Sequence, residues 1–396
     1  MKRIKVLITD AIDKKALAAL RSLGRRGLHV DVSGSDIFAQ SFYSKYLHRR
    51  ILYPNPRKNI EEFLRFMLSI VKVEDYDVLL PMDLWTIMPL SRHKALFNPF
   101  VGIPIADYHV LIQAHDKYQA LKKAEECGVP IPKTYLPKNT EQLKEILPEL
   151  DYPVVIKLRK GSASIGLRFA SSSRELLSNY ITSAQSNMVF DFNLPMIQEY
   201  IPGEIHDVCV LFNEGKCKAA LTQKRIKMLP ITGGVGIVNQ TTNEPELREM
   251  AINLLKKMEW HGPAQVEFKM DSRDKTPKLM EVNSKFWGTL DLSIQAGIDF
   301  PFLACKMVLD GDINPVYEYK VGLKYRWIVP YELRYVMKSR KWKSVCEFLN
   351  FQGNIKYDIW LRDPLPSAVK IIELIGLYSR KLIPRLLKTT TDKVFG

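Results

Sequence analysis

At 396 residues, with 46% hydrophobic and 26% charged side chains, the chain can bury two or three substantial cores, and its composition excludes disordered and collagen-like classes. Its net charge of +15 is unevenly spread: residues 313 to 396 hold sixteen Lys and Arg against seven Asp and Glu, or +9 of the total. Five widely spaced cysteines with no Cys-x-x-Cys pair argue against a disulfide framework and a zinc knot. The seven histidines are scattered without the spacing of metal ligands. Met1-Lys2-Arg3 opens like a signal peptide, but Lys5 and Asp10 cut the apolar stretch short, so no leader is expected. No apolar run reaches the roughly 18 residues a membrane-spanning helix needs, and a reducing cytoplasm is the expected location.

The first 112 residues read as an α/β unit. Ile4 to Ile8 is a strand, Lys14 to Leu23 a helix, Leu28 to Val32 a second strand, and Tyr76 to Pro81 another parallel strand. Asp10-Ala11-Ile12-Asp13 follows the first strand where a dinucleotide fold would place glycines, so the phosphate-cradling fingerprint is absent. Gly24 and Gly27 read as turn glycines at a helix end.

In the middle third, Pro153 to Lys157 is a β-branched strand ending in a lysine. Lys160-Gly161-Ser162-Ala163-Ser164-Ile165-Gly166 follows at once. Gly and Ser let a backbone curl its N–H groups around phosphate, and Lys157 adds a point charge. No Gly-Lys-Ser/Thr follows, so this is not a Walker loop, and a flexible turn is the plain alternative. Met196 to Glu204 reads as a strand broken at Pro202-Gly203. Such a hinge exposes backbone groups at a strand end, suited to an adenine edge, with an acidic side chain beyond for ribose; read alone, a simple strand and turn is the favoured reading.

The sharpest signal is a hairpin. Ala264 to Met270 alternates with period two, a polar turn covers Asp271 to Pro277, and Lys278 to Asn283 alternates again. Centring the turn on Asp274 sets Glu267 opposite Glu281 with Asn283 on the same side, and sends Val266, Phe268, Met280 and Val282 to the other face. Opposed carboxylates repel, so a carboxamide beside them points to a hard cation such as Mg²⁺. A solvated polar face is the alternative.

Beyond Gly311-Asp312-Ile313-Asn314-Pro315 the character changes. Residues 366 to 388 set leucines and isoleucines among Lys370, Arg380, Lys381, Arg385 and Lys388, with Pro384 breaking the pattern. A basic amphipathic helix either docks its apolar face on the protein body, the favoured expectation, or makes peripheral contact with an anionic membrane. Tyr325, Trp327 and Trp342 interleave with basic residues, but no nucleic-acid motif accompanies them and no nucleic-acid partner is expected.

The order Asp116-Lys117, the Val-Ile-Lys strand, the Ser/Gly loop, Gln198-Glu199-Tyr200-Ile201-Pro202-Gly203, Thr232-Gly233-Gly234, Val266-Glu267-Phe268 and Met280-Glu281-Val282-Asn283 with Phe286-Trp287-Gly288 resembles the ATP-grasp superfamily. Within it, the chain most resembles the carboxylate-amine ligases akin to the large subunit of carbamoyl phosphate synthase, over about residues 113 to 310. The fold class implied is α/β and α+β. A Rossmann-like pre-ATP-grasp domain (1–112) would precede an ATP-grasp domain of two α+β subdomains (113–312) and a basic, mostly helical C-terminal extension (313–396).

The resemblance implies ATP between the subdomains, with Lys117, Lys157 and the loop at Gly161, Ser162, Ser164 and Gly166 on the phosphates. Glu199, Tyr200 and Ile201 would line the adenine site, Glu204 or its rival Asp207 would meet the ribose, and Glu267, Glu281 and Asn283 would hold Mg²⁺, with Mn²⁺ as an alternative. Relatives tend to read Asn-Pro-Arg after the metal-binding Glu, whereas this chain has Asn283-Ser284-Lys285, which keeps the charge and loses the two-pronged donor. Lys285 and Arg225 are the expected catalytic cations, and Lys224 and the Thr232-Gly233-Gly234 loop join them as candidates for substrate contact. The implied reaction activates a small-molecule carboxylate as an acyl phosphate and joins it to an amine. An ATP-binding scaffold without ligase activity, held at a surface by its basic tail, is the second reading.

Overall fold

The computed structural model describes residues 3–161, 166–188, 194–229, 234–339 and 341–373. Ser162, Ser164, Thr232, Gly233 and most of the basic tail lie outside the described residues.

Four parallel strands open the chain: β1 (Lys5–Ile8), β2 (His29–Gly34), β3 (Arg49–Leu52) and β4 (Val78–Leu80), side by side in the order β3-β2-β1-β4. Val6, Leu7, Ile8, Leu79 and Leu80 are fully buried, the continuous apolar run expected of strands covered on both faces. The helix Lys14–Arg25 lies against this sheet, and Gly24 lets it approach the following segment, because a Cβ there would stand 2.6 Å from Tyr46 Cβ. Strand order reverses between β1 and β4, so a crevice opens at their carboxyl ends. Asp10 stands there with φ of 60° and accepts hydrogen bonds from Met82 N (3.1 Å), Asp83 N (2.9 Å) and Thr86 Oγ1 (2.7 Å). Where a dinucleotide fold would place glycines, a half-buried carboxylate organises this turn.

An antiparallel sheet of β5 (Thr134–Tyr135), β6 (Val154–Lys157), β7 (Arg168–Ala170) and β8 (Met196–Glu199) follows, in the order β5-β8-β6-β7. It has its own small core around Leu143, Ile156, Leu176 and Ile197. The largest sheet runs β13-β12-β9-β10-β11-β14-β15, built from β9 (Gly203–Asn213), β10 (Lys216–Leu229), β11 (Val235–Thr242), β12 (Gly262–Asp271), β13 (Pro277–Asn283), β14 (Lys324–Arg326) and β15 (Ile355–Tyr357). Alternation along β9 feeds two cores. Val208, Val210 and Phe212 pack with the helix Pro245–Lys257, while Cys209 and Leu211 face the cluster that holds Trp287 and the first helix.

The division expected at residue 112 falls inside the helix Tyr108–His115. In residues 313 to 373 helices predominate, yet β14 and β15 extend the largest sheet beyond β11. Asp363 ties this extension to the first helix: its carboxylate takes Arg21 Nε at 2.8 Å, Ser44 Oγ at 2.8 Å and Lys45 N at 2.9 Å, with Arg21 and Asp363 both almost fully buried. Docking of the tail through its isoleucines is not seen where the tail is described. Ile371 and Ile372 are 40% and 68% exposed, and Lys370 turns inward over the Tyr331 ring instead. The remaining tail residues of that expectation lie outside the described residues.

Candidate active site

β12 and β13 pair Gln265 with Asn283, Val266 with Val282 and Glu267 with Glu281, so the two carboxylates stand opposite each other as the period-two pattern requires. Val266, Phe268 and Val282 are buried on the far face. Met280 is not. A bulge after Glu267 shifts the register so that Phe268 faces Leu279, which takes the core position, and Met280 turns into the cleft with Sδ 3.9 Å from Lys157 Nζ.

Cations flank the two carboxylates unequally. Glu267 touches Arg225, whose guanidinium also reaches Asp207 Oδ1 at 2.8 Å and Gly234 O at 3.0 Å. Burial pushes Glu267 up to about 7; Arg225 opposes the rise, while Glu281 and Asp207 add to it. Burial also works against the charge on Glu281, yet Lys117 at 3.4 Å, the Asn283 amide at 3.0 Å and Lys157 outweigh it and hold this carboxyl below its usual range. Two half-buried carboxylates and an amide within reach of each other, balanced by side-chain cations, offer oxygen donors of the kind a hard divalent ion takes.

The lysines arrive from separate elements. Asp116 caps the helix Lys117–Glu126 by accepting from Tyr118 N, and its ion pair with Arg159 fastens that helix start to the loop after β6. Lys117 Nζ therefore sits 2.7 Å from Gly161 O. Lys157, at the end of β6, donates to Gln198 Oε1 at 2.6 Å, and burial lowers its pKa to about 8 against the pull of Glu281. Both ammonium groups face one cavity. Its apolar walls come from Val155, Leu158, Leu167 and Phe169 on one side and Tyr200, Ile201, Ile205 and Met280 on the other. Lys269 closes the hinge end, donating to Ile201 O at 2.6 Å with its ammonium 4.9 Å from the Tyr200 ring centre.

Not every expected residue joins this cavity. Glu199, Tyr200, Ile201 and Gly161 line it, and the Glu199 carboxylate is engaged by Arg273 at 2.5 Å and by Lys133 N at 3.2 Å. Gly166, with φ of 74°, sits against Leu158 and is not among the lining residues. Glu204 stands outside the lining, 61% exposed, and pairs with Lys224 at 3.0 Å. Its rival Asp207 is fully buried, held by Arg225 and Gln223, and presents no free oxygen to a ribose.

A second cavity adjoins the first through Arg225, Gly234, Glu267 and Glu281, and reaches the crevice of the parallel sheet. Lys285 lies there, its Nζ 2.8 Å from Asp83 Oδ2, and Lys15 reaches the same carboxylate at 3.4 Å and Asp13 at 3.0 Å. Burial disfavours the Asp83 charge, but Lys15 and Lys285 hold its carboxyl well below the usual range. Asp83, Lys15, Asp13 and Lys269 were absent from the expected site. For Asp83 a signal existed: the strand Val78–Leu80 ends at Pro81-Met82-Asp83, at the carboxyl edge where doubly wound sheets bind ligands.

The family described as "ATP-grasp in the biosynthetic pathway with Ter operon" matches residues 191–330. The chain is 22% identical to the carbamoyl phosphate synthase large chain of Pyrococcus furiosus over 63% of its own length and 23% of that protein's. It is also 22% identical to the D-aspartate ligase of Enterococcus faecium, over 51% of this chain and 52% of that one. The chain thus spans a quarter to about half the length of these curated relatives. Among solved structures, the biotin carboxylase of Campylobacter jejuni in complex with β,γ-ATP superimposes with a TM-score of 0.67 at 19% identity, covering 81% of this chain and 74% of that one. The motif order, the opposed carboxylates on the wall of the cleft and these likenesses make the chain similar to ATP-grasp proteins in fold and in the layout of the site.

Proposed function

We propose that this protein is an ATP-dependent ligase that activates a substrate carboxylate as an acyl phosphate and joins it to an amine. The observation that carries the reading is the partition of the cleft. One cavity, apolar-walled with three lysines, suits a nucleotide, and the other, charged and bounded by the N-terminal domain, suits a polar acceptor. Glu267 and Glu281 stand on the wall they share.

Glu267, Glu281 and Asn283 fit Mg²⁺, or Mn²⁺, by donor chemistry; the bound ion supplies charge neutralisation at the phosphates. Lys117 and Lys157 hold phosphate oxygens, and the apolar walls orient the base and exclude water. A carboxylate in the second cavity attacks the γ-phosphorus, the bond to ADP breaks, and an amine then attacks the acyl carbon and expels phosphate. Lys285 and Arg225 lie where charge develops on the acyl oxygens, with Lys15 beside them. The expected location is the cytoplasm.

The test is a panel of small carboxylates and amines assayed for coupled release of ADP and phosphate. Release that needs both an acid and an amine supports the ligase. Tight Mg·ATP binding with no release across the panel would favour the ATP-binding scaffold.

A further inference from the structure

We propose that His29, Asp31 and His48 form a binding site for a divalent transition-metal ion, Zn²⁺ by its nitrogen and oxygen donors, at the end of the parallel sheet remote from the active site. His29 and Asp31 are two residues apart on β2, so strand geometry sends both side chains to one face. His48 immediately precedes β3, whose Arg49 is in register with Asp31, and its own N–H donates to Val30 O at 2.9 Å.

Three donors converge as a result. Asp31 Oδ1 lies 3.1 Å from His48 Nδ1 and 3.4 Å from His29 Nε2, and all three donors lie within 4.8 Å of one another. Bonds of about 2.0–2.1 Å to a tetrahedral zinc set neighbouring donors about 3.3 Å apart, which these two separations bracket. A hydrogen bond explains the His48 contact. It does not explain His29: its Nε2 is buried beside the carboxylate without a hydrogen-bond partner among the described residues. The imidazole centroids are 3.5 Å apart, a spacing that disfavours two protonated rings. A neutral ring is the form that ligates.

The surroundings fit a second shell. The Tyr76 hydroxyl donates to Asp31 Oδ2 at 2.5 Å and leaves Oδ1 toward the imidazoles. Of the nearby cations, Lys5 at 3.1 Å and Arg49 at 2.9 Å share the Glu74 carboxylate, and Arg49 Nε also stands 3.5 Å from Asp31 Oδ2, on the side away from the imidazoles. His48 is 56% exposed, so water has access to a fourth position. The active-site crevice lies at the carboxyl ends of β1 and β4, whereas this cluster joins the starts of β2 and β3, so its role is to clip strands together.

The full chain, stripped with a chelator and carrying Cys346→Ser to remove an exposed thiol, is titrated with Zn²⁺ by calorimetry and with Co²⁺ by visible absorption. One ion per chain, a rise in Tm with Zn²⁺ and tetrahedral Co²⁺ bands without thiolate charge transfer are expected. His48→Ala should abolish all three without altering the metal-free Tm or Mg·ATP turnover, and Tyr76→Phe should weaken binding on the order of tenfold. Equal Zn²⁺ binding by wild type and His48→Ala, or no binding by the wild type, overturns the proposal. His48→Gln serves in place of alanine if the metal-free Tm falls.

Discussion

Lys285 Nζ stands 2.8 Å from Asp83 Oδ2, joining the segment after β13 to the helix that begins after β4. The residue in place of the usual arginine is therefore held by the N-terminal domain. Asp83→Asn should leave nucleotide affinity unchanged and lower kcat/KM for the acceptor about 10- to 100-fold, because it unpairs the half-buried Lys285 and leaves the buried Lys15 with Asp13 alone. Steady-state kinetics with separate titration of ATP and acceptor checks this. Lys285→Arg should retain activity, since Asp83 accepts a guanidinium as readily as an ammonium.

The opposed carboxylates should respond unequally to neutralisation. Glu281 has its folded pKa below the unfolded value, so its ionised form contributes stability above pH 4.5 that is lost as pH falls through the folded pKa. Glu281→Gln should therefore lower the metal-free Tm at pH 8. Glu267 is raised to about 7, so the folded state loses stability between pH 4.5 and 7 and carries the full cost above that window. Glu267→Gln should leave Tm unchanged or raised at pH 8, with the difference fading toward pH 4.5. Both variants should lose about 10²-fold or more of Mg-dependent ADP formation, the several kcal/mol that a bound metal supplies. Equal Tm responses would remove the asymmetry.

Lys157→Ala should weaken ATP binding by roughly 10- to 100-fold, the worth of a charge-assisted hydrogen bond, in a protein that stays folded. Its pKa near 8 means that binding a phosphate at pH 8.5 draws a proton into the site. Calorimetry of ATP binding in buffers of different ionisation enthalpy should show proton uptake by the wild type and less by the variant.

Lys14 Nζ is buried between the Trp327 and Tyr331 rings, 4.1 Å and 4.9 Å from their centres, with no hydrogen-bond partner among the described residues. Burial, aided by Lys370, lowers its pKa to about 7 against Asp358, Asp291 and Asp13. The unfolded chain then binds more protons between pH 7 and about 10.5, so stability rises with pH across that window, and the cost is greatest below it. Lys14→Met should stabilise the fold by about 1–4 kcal/mol at pH 6, the gain shrinking toward pH 10. Denaturant melts at the two pH values measure it.

Much of this site was legible because it lies on regular strands. Period-two alternation set Glu267 against Glu281 without any tertiary information, and Val154 to Lys157 announced its strand and its terminal lysine. Met280 was misread because a bulge breaks that period, and no residue type in the hairpin signals one. Asp83 and Lys15 were missed because they act through pairing between sequence-distant segments. Asp207, open as a ribose partner in the sequence, is closed off by Arg225, a contact set by the register of β9 against β10. His29, Asp31 and His48 looked scattered because the link between the histidines is a parallel strand pairing.

The Arg21–Asp363 pair also bears on how the chain is made. A guanidinium 2% exposed without its carboxylate is costly, so the first helix cannot take its final dry environment until a residue 342 positions later has emerged. At roughly 5–20 residues per second that interval is about 20–70 s of synthesis. Throughout it the nascent N-terminal sheet keeps one flank wet and open, exposed to chaperones and proteases until the segment around Asp363 arrives to cover it.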